Sequence, residues 1–498
     1  MHVARIKSSH VDKHGRRREY QSVYLRRSYR AEGTVKHEQL ANLSALPEAA
    51  VTAIEAVLAG AELVPAGARF QIARALPHGH VAAVWAQAKT LGLPALLGPA
   101  CRQRDLVVAL LISRVCRPAS KLSTLSWWSD VTLGADLDVA GASTDEIYAA
   151  MDWLVNRQDS IEAKLARLHL SAPANPTRMA LFDLTSAWVE GRHCPLAGRG
   201  YSRDGKRGKL QIEYGILTDS DGRPVAVRVF EGSTGDPETF TEIVSTVGHR
   251  FGLHELVLVG DRGMITKTRI EDLTALNNDP NTSDAFGWIT ALRAPTIAKL
   301  VRDGAVQLGL FDQQDLAEIT HPDYPGERLI ACRNPLLAAE RARKREDLLA
   351  ATEKLLTQIT DRIRRGTLTG ADDIGVTVGK VINKYKVAKH LEYLITDTSL
   401  TIERKHDQIA AEAALDGIYV LRTSVAADTL DAAGVVLGYK SLAHLERDFR
   451  TIKTDDLDLR PIYHRLEERV KAHVLICMLA CYLIWHLRRA WATADLHR

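Results

Sequence analysis

Cysteine is scarce. The six that occur, Cys101, Cys116, Cys194, Cys332, Cys477 and Cys481, form no Cys-x-x-Cys pair and no disulfide-framework spacing. Their scatter suits a reducing, cytoplasmic setting. Long apolar runs are missing as well: the longest, Val474 to Trp485, is bounded by His473 and His486 and falls short of the ~20 residues that span a bilayer. A buried helix is expected there. The opening residues, Met1 to Lys7, hold no apolar stretch of signal-peptide length. Charge of one sign is in short supply too. With 65 Lys and Arg against 61 Asp and Glu the net charge is only +4, so bulk composition does not by itself announce a nucleic-acid binder. What remains is an ordinary globular composition, 46% hydrophobic and 25% charged over 498 residues, enough for two to four domains with proper cores.

Charge placement says more than charge total. Residues 1 to 40 carry ten Lys or Arg and four Asp or Glu, a net +6, including Arg16-Arg17-Arg18 and Arg26-Arg27. The same segment alternates in short β-like stretches around Asp12-Lys13-His14-Gly15 and Glu32-Gly33, so a basic β-hairpin module is expected over 1–45. From 46 to 172 the pattern turns helical. Asp105 to Val115 and Thr144 to Asn156 are amphipathic, Thr144 is a candidate N-cap, and Arg102, Arg104, Arg114, Arg117 and Lys121 make this region a candidate DNA contact.

After Pro173 and Pro176 comes Met179 to Val189, an apolar run of buried-strand length with one carboxylate, Asp183, at its centre. An ionised Asp there must be paired, hydrogen-bonded or held by a metal, because its desolvation alone costs several kcal/mol. Strands follow over Lys209–Thr218 and Pro224–Glu231, a helix over Pro237–Phe251, a strand over Glu255–Gly260, a helix over Thr266–Leu276 and a strand over Phe286–Leu292. That order is the order of a ribonuclease-H-like α/β core, here spanning 173–293. A helical crossover would return the fourth strand to the side of the first, setting Asp261 next to Asp183. Two such carboxylates share a proton or hold a cation, and a hard divalent ion with oxygen ligands and substrate phosphates implies phosphodiester chemistry. The bland alternatives are a structural hydrogen-bonder at Asp183 and a turn residue at Asp261.

A mixed α/β insertion is expected over 294–410, with a long charged helix over Leu336–Arg365 and β-like patterns over Lys380–Ile395. Gly417–Thr423 is β-like again and opens the C-terminal part of the core, 411–498. There Tyr439, Glu446, Arg450 and Lys453 fall near one face of a single helix, where Glu446 could complete a three-carboxylate site while Tyr439 and Lys453 touch a phosphate. His473, Cys477 and Cys481 recur on one helical face, which reads as core packing before it reads as a soft-metal site. Trp288 has two readings, core or base stacking, and His464 two, DNA contact or local cap.

Those residues carry a resemblance. The chain resembles the DDE transposases of bacterial insertion sequences, in the group marked by Tyr-(2)-Arg-(3)-Glu-(6)-Lys. Tyr439, Glu446 and Lys453 match the spacing, and Phe182-Asp183-Leu184-Thr185, Val259-Gly260-Asp261-Arg262-Gly263-Met264, Leu415 to Tyr419 and Leu459 to Arg465 look like that group as well. Leu442 stands where the motif has Arg, with Arg450 on the same face as a substitute. The resemblance implies Asp183, Asp261 and Glu446 as catalytic ligands of two Mg²⁺ ions, for which Mn²⁺ can stand in, with Tyr439, Arg450 and Lys453 on the DNA. It also implies cutting at the element's inverted-repeat ends, joining of the 3′ hydroxyl to target DNA, a homodimer on DNA and a place at the bacterial nucleoid. A ribonuclease-H-like nuclease without strand transfer and an inactive, transposase-derived DNA-binding protein are the other readings.

Overall fold

The computed structural model describes residues 1–61, 74–234, 236–280, 285–311 and 315–492. Two compact units result, Met1–Ala75 and Leu76–Arg498.

In the first unit, β1 (His2–Val11), β2 (Arg17–Ala31) and β3 (Thr34–Asn42) form an antiparallel meander in chain order. Asp12 closes the first turn by accepting the backbone N–H groups of His14 and Arg16 at 2.9 and 3.0 Å, the Asx-turn use of a short carboxylate. The helix Glu48–Leu58 packs on the sheet, burying Val51 with Val23 and Leu43, while Arg5 pairs with Glu48 and Glu55. This unit therefore runs past the expected boundary at 45, because a lone hairpin cannot bury a face of its own.

The second unit is built on one eight-stranded sheet. Its strands are β4 (Met179–Trp188), β5 (Gln211–Asp219), β6 (Pro224–Glu231), β7 (Glu255–Val259), β8 (Ala285–Ala291), β9 (Leu316–Ile319), β10 (Arg328–Arg333) and β13 (Ile418–Thr423). The spatial order is β6-β5-β4-β7-β8-β13-β10-β9. β4, β5 and β6 form an antiparallel meander, and Pro224 opens an edge strand, where its missing N–H is harmless. The helical stretch from Asp236 to Arg250 then carries the chain over, so that β7 lies parallel to β4 and β8 parallel to β7. Every residue of β5 is buried and nearly every one of β4, the pattern of strands covered on both faces.

β9 and β10 fall inside the stretch expected to be an insertion, yet they extend the core sheet: β10 pairs with β13 through Arg328↔Thr423 to Arg333↔Ile418. What projects from the sheet is smaller, the helices Pro335–Arg364 and Ala371–Tyr385 with the hairpin of β11 (Leu391–Ile395) and β12 (Leu400–Arg404). The β-like reading of Lys380–Ile395 fails over its first part. Ile374, Val378 and Ile382 repeat every four residues and bury a helical stripe against Leu349, Leu356 and Ile359.

Helices pack on this sheet. Glu467–Ala492 packs against Gly79–Thr90, Arg102–Cys116, Thr144–Val155 and β6. It is long and apolar enough to cross a membrane, but 89% of its apolar window is buried inside the protein. The N-cap of Thr144–Val155 is Ser143, not Thr144: its side chain accepts from Glu146 N–H while Glu146 reaches back to Ser143, a capping box.

Candidate active site

Asp183 interrupts a buried strand, the one half-exposed residue in the interior of β4. Its Oδ1 accepts the Leu184 N–H at 2.8 Å. On the neighbouring strand, the β4–β7 register runs through Ala180↔Leu258 and Leu181↔Val259; two residues further on each stand Asp183 and Asp261. Neighbouring strands lie ~4.8 Å apart, so Asp183 and the end of β7 from which Asp261 follows belong to the same pair of neighbouring strands. Asp261 is exposed at the strand end, where its Oδ1 accepts from Gly263 N–H at 2.8 Å and Met264 N–H at 2.7 Å. One oxygen thus does the turn's work, leaving Oδ2 for another partner.

The third carboxylate arrives on a separate element. Tyr439, Glu446 and Lys453 do not share one helix: Tyr439 belongs to Ala432–Lys440, Glu446 to Leu442–Arg450 and Lys453 to a single π turn, Thr451–Asp455. The helix Leu442–Arg450 packs on β4 through its apolar side, with Phe449 edge-on to Tyr214 at 5.8 Å, and leaves Glu446 and Arg450 exposed. Tyr439 ties the set together. Burial pushes its hydroxyl above the ordinary tyrosine range, and the negative charges of Asp261, Asp183 and Glu446 push in the same direction while Arg262 opposes them. One phenol is therefore within electrostatic reach of all three carboxylates. Among the described residues no group of three or more His, Cys, Asp or Glu side chains is gathered closely enough to hold a metal ion.

Lys453 turns inward. Its ammonium donates to Asp204 Oδ1 at 2.8 Å and to the hydroxyl of Thr185, which lies two residues beyond Asp183 on the same face of β4. Arg460 pairs with the same Asp204 oxygen and lies 5.1 Å over the Trp188 ring. Asp204, 3% exposed in its side chain, is the residue that the sequence reading passed over. Its one visible signal is a single acid within the basic run Arg203 to Lys209. Leu442, where the motif has Arg, packs against the main core.

The basic residues between the N-terminal helices are largely spoken for. Arg102 pairs with Glu146, Arg104 with Asp105, Arg114 is buried against the carbonyls of Leu457 and Ala119, and Lys121 is buried beside His473. Trp288 is a core residue with the Arg422 guanidinium 5.1 Å over it, and His464 meets Tyr148 and His473 edge-on. His473, Cys477 and Cys481 lie in the buried C-terminal helix. Next to the carboxylates, Arg262 lines a cavity of about 760 Å³ with Arg341, Lys344, Lys386 and Lys389, a basic wall tempered by the pairs Arg345–Asp416 and Lys389–Glu412.

Comparison with known proteins adds two findings. Residues 10–65 match the model of the IS1634 family transposase N-terminal domain, a match that lies in the first unit and ends well before the carboxylates. A solved structure, a piggyBac transposase synaptic complex with hairpin DNA, aligns at 10% identity and TM-score 0.38 over 79% of this chain and 68% of that one. No curated protein matches the chain.

Proposed function

We propose that this chain is an insertion-sequence transposase that cuts DNA at its element's ends and joins the freed 3′ hydroxyl to target DNA. The observation that carries the reading is the parallel pairing of β4, which holds Asp183, with β7, whose end leads into Asp261, together with a half-buried tyrosine, Tyr439, whose hydroxyl is pushed up by burial and by the charges of Asp261, Asp183 and Glu446. The match of residues 10–65 to an insertion-sequence transposase domain supports it independently. The strand order β6-β5-β4-β7-β8, with β7 parallel to β4 and β8 parallel to β7, supports a ribonuclease-H-like core.

The donor set is three carboxylates with no thiolate or imidazole, the chemistry of a hard divalent cation such as Mg²⁺, with Mn²⁺ as substitute. Asp183, Asp261 and Glu446 would hold it. The chemistry supplied by such an ion is Lewis-acid stabilisation of the phosphoryl oxygens and activation of water. The chain's own contribution is positioning. Tyr439, kept protonated, donates its hydroxyl hydrogen to a phosphate oxygen; Arg262 and the basic cavity beside it orient the strand; exposed Arg450 adds a cation on the Glu446 helix. Lys453 acts from behind, bracing Thr185 and the loop around Asp204.

The reading is tested on supercoiled plasmid carrying the gene's flanking DNA, with Mg²⁺, Mn²⁺ or EDTA. Wild type is expected to cut at the flanks, and Asp183→Asn, Asp261→Asn and Glu446→Gln to lose at least a hundredfold in cutting while keeping end binding. A second reading, an inactive DNA-binding relative, is favoured by the lack of a gathered three-ligand group among the described residues. Flank binding without cutting under either metal would establish it.

A further inference from the structure

A second cavity, of about 540 Å³, opens among the helices of the same unit and is walled by Arg114, Lys121, Arg460, His464 and His473. Arg114, Lys121 and His473 are all buried, Lys121 to 7% exposure. Among the described residues no carboxylate forms an ion pair with Arg114 or Lys121, and the acid on the cavity wall, Asp458, is exposed. Arg114 spends donors on the carbonyls of Leu457 and Ala119. Among the described residues Lys121 makes one hydrogen bond, to the Nδ1 of His473 at 3.3 Å, while the other ring nitrogen of His473 faces the Leu459 carbonyl at 3.3 Å. An ammonium has three hydrogens to donate, so one such bond leaves two for a ligand in a cavity that the guanidinium of Arg114 also lines. Buried charges of one sign without a counter-charge are costly, and proteins keep them where a ligand brings the opposite charge.

We propose that this cavity is an anion site for a backbone phosphate of bound DNA. Phosphate oxygens accept from ammonium, guanidinium and imidazole at once, which apolar or neutral ligands cannot do. Two observations point to DNA as the source. Arg460 lines the cavity and also pairs with Asp204, which pairs with Lys453, whose ammonium donates to Thr185 two residues beyond Asp183, so a chain of contacts links the pocket to the strand that carries Asp183. Tyr463, 72% exposed, and exposed Leu122 also line the cavity and give a sugar or base an apolar surface beside the phosphate. Burial also pulls the Lys121 amine down to about 7, and the neighbouring Arg114 adds to that shift. A bound phosphate would restore its proton. The assignment of the phosphate to DNA rests on the transposase reading; the cavity's affinity for phosphate does not.

The test uses the full chain, with Lys121→Met as a volume-conserving variant and Tyr463→Ala as an exposed one. Inorganic phosphate should raise the melting temperature of wild type above that in chloride of equal ionic strength. Lys121→Met should melt at or above wild type without phosphate, since an unpaired buried charge is gone, and should ignore phosphate. On DNA, Lys121→Met should flatten the slope of log affinity against log salt by about 0.9, the value of one phosphate contact. Tyr463→Ala should weaken DNA binding and keep the phosphate response. An equal phosphate response in Lys121→Met, or a Lys121→Met protein that melts below wild type without phosphate, overturns the site. A phosphate response with an unchanged DNA salt slope overturns DNA as the source. A protein that takes phosphate here but cuts no DNA would refute the transposase reading and leave the pocket standing, and the reverse outcome would do the opposite.

Discussion

Lys453→Met separates a structural lysine from a phosphate clamp. The motif resemblance puts Lys453 on DNA; the structure puts its ammonium 2.8 Å from Asp204 Oδ1, with both side chains almost wholly buried. Removing one partner of a buried pair costs about 3–5 kcal/mol, because the remaining charge is left desolvated. Arg460 still holds the same Asp204 oxygen, so the expected loss sits near the lower end, about 3 kcal/mol. Methionine keeps the volume, so packing contributes little. The assay is urea unfolding followed by tryptophan fluorescence, with Asp204→Asn made alone and in combination. The double variant should recover about 1 kcal/mol or more relative to additivity, since neutralising Asp204 removes the charge left behind. A Lys453→Met protein that unfolds at the wild-type urea midpoint but binds DNA several-fold more weakly would refute this reasoning and restore the clamp.

His169 should make the fold acid-sensitive. Arg223 can only donate, so His169 Nδ1 must be the unprotonated nitrogen, while Nε2 faces the Tyr482 hydroxyl at 3.1 Å; burial first, then Arg223 and His486, hold the ring down to about 3. Below the ordinary value of 6.5 the unfolded chain takes up a proton that the folded one refuses, so stability falls with pH, by about 3 kcal/mol at pH 4. His169→Gln should remove that share from a pH series of urea midpoints, and an unchanged pH dependence would argue against it. Gly215→Ala tests the packing beneath Asp183: an added Cβ would come 2.6 Å from the Phe182 ring across the β4–β5 pair, so a loss of about 1–3 kcal/mol is expected. An unaltered melting temperature would mean that the ring moves freely. The Glu446→Gln cleavage assay completes the set, expected to lose cutting and keep binding.

Much of the core was legible because its signals are local. Apolar runs bounded by turn residues marked β4 to β8, and the chain order of strands and helices implied that β7 would return beside β4. Asp183 was conspicuous as the one charge in such a run. Asp204 was not, since an acid among basic loop residues looks solvated until the fold closes over it. Lys453 and Leu442 share the difficulty. Helical spacing assigned them to a face, but the break at Ser441 and the π turn at Thr451–Asp455 decided which way each points.

The sequence by itself determined the elements whose evidence lies within a few residues: the central strands, the buried C-terminal helix, the basic opening segment and the three candidate carboxylates. Tertiary structure alone decided what depends on partners far along the chain. β10 joins the sheet only because β13 offers it an edge, Lys453 becomes an internal brace only because Asp204 is folded beneath it, and Arg114 and Lys121 become buried basic groups without a carboxylate partner among the described residues only because helices close around them. The physical reason is the same in each case: propensity and periodicity are properties of neighbours in sequence, whereas pairing, burial and charge compensation are properties of neighbours in space.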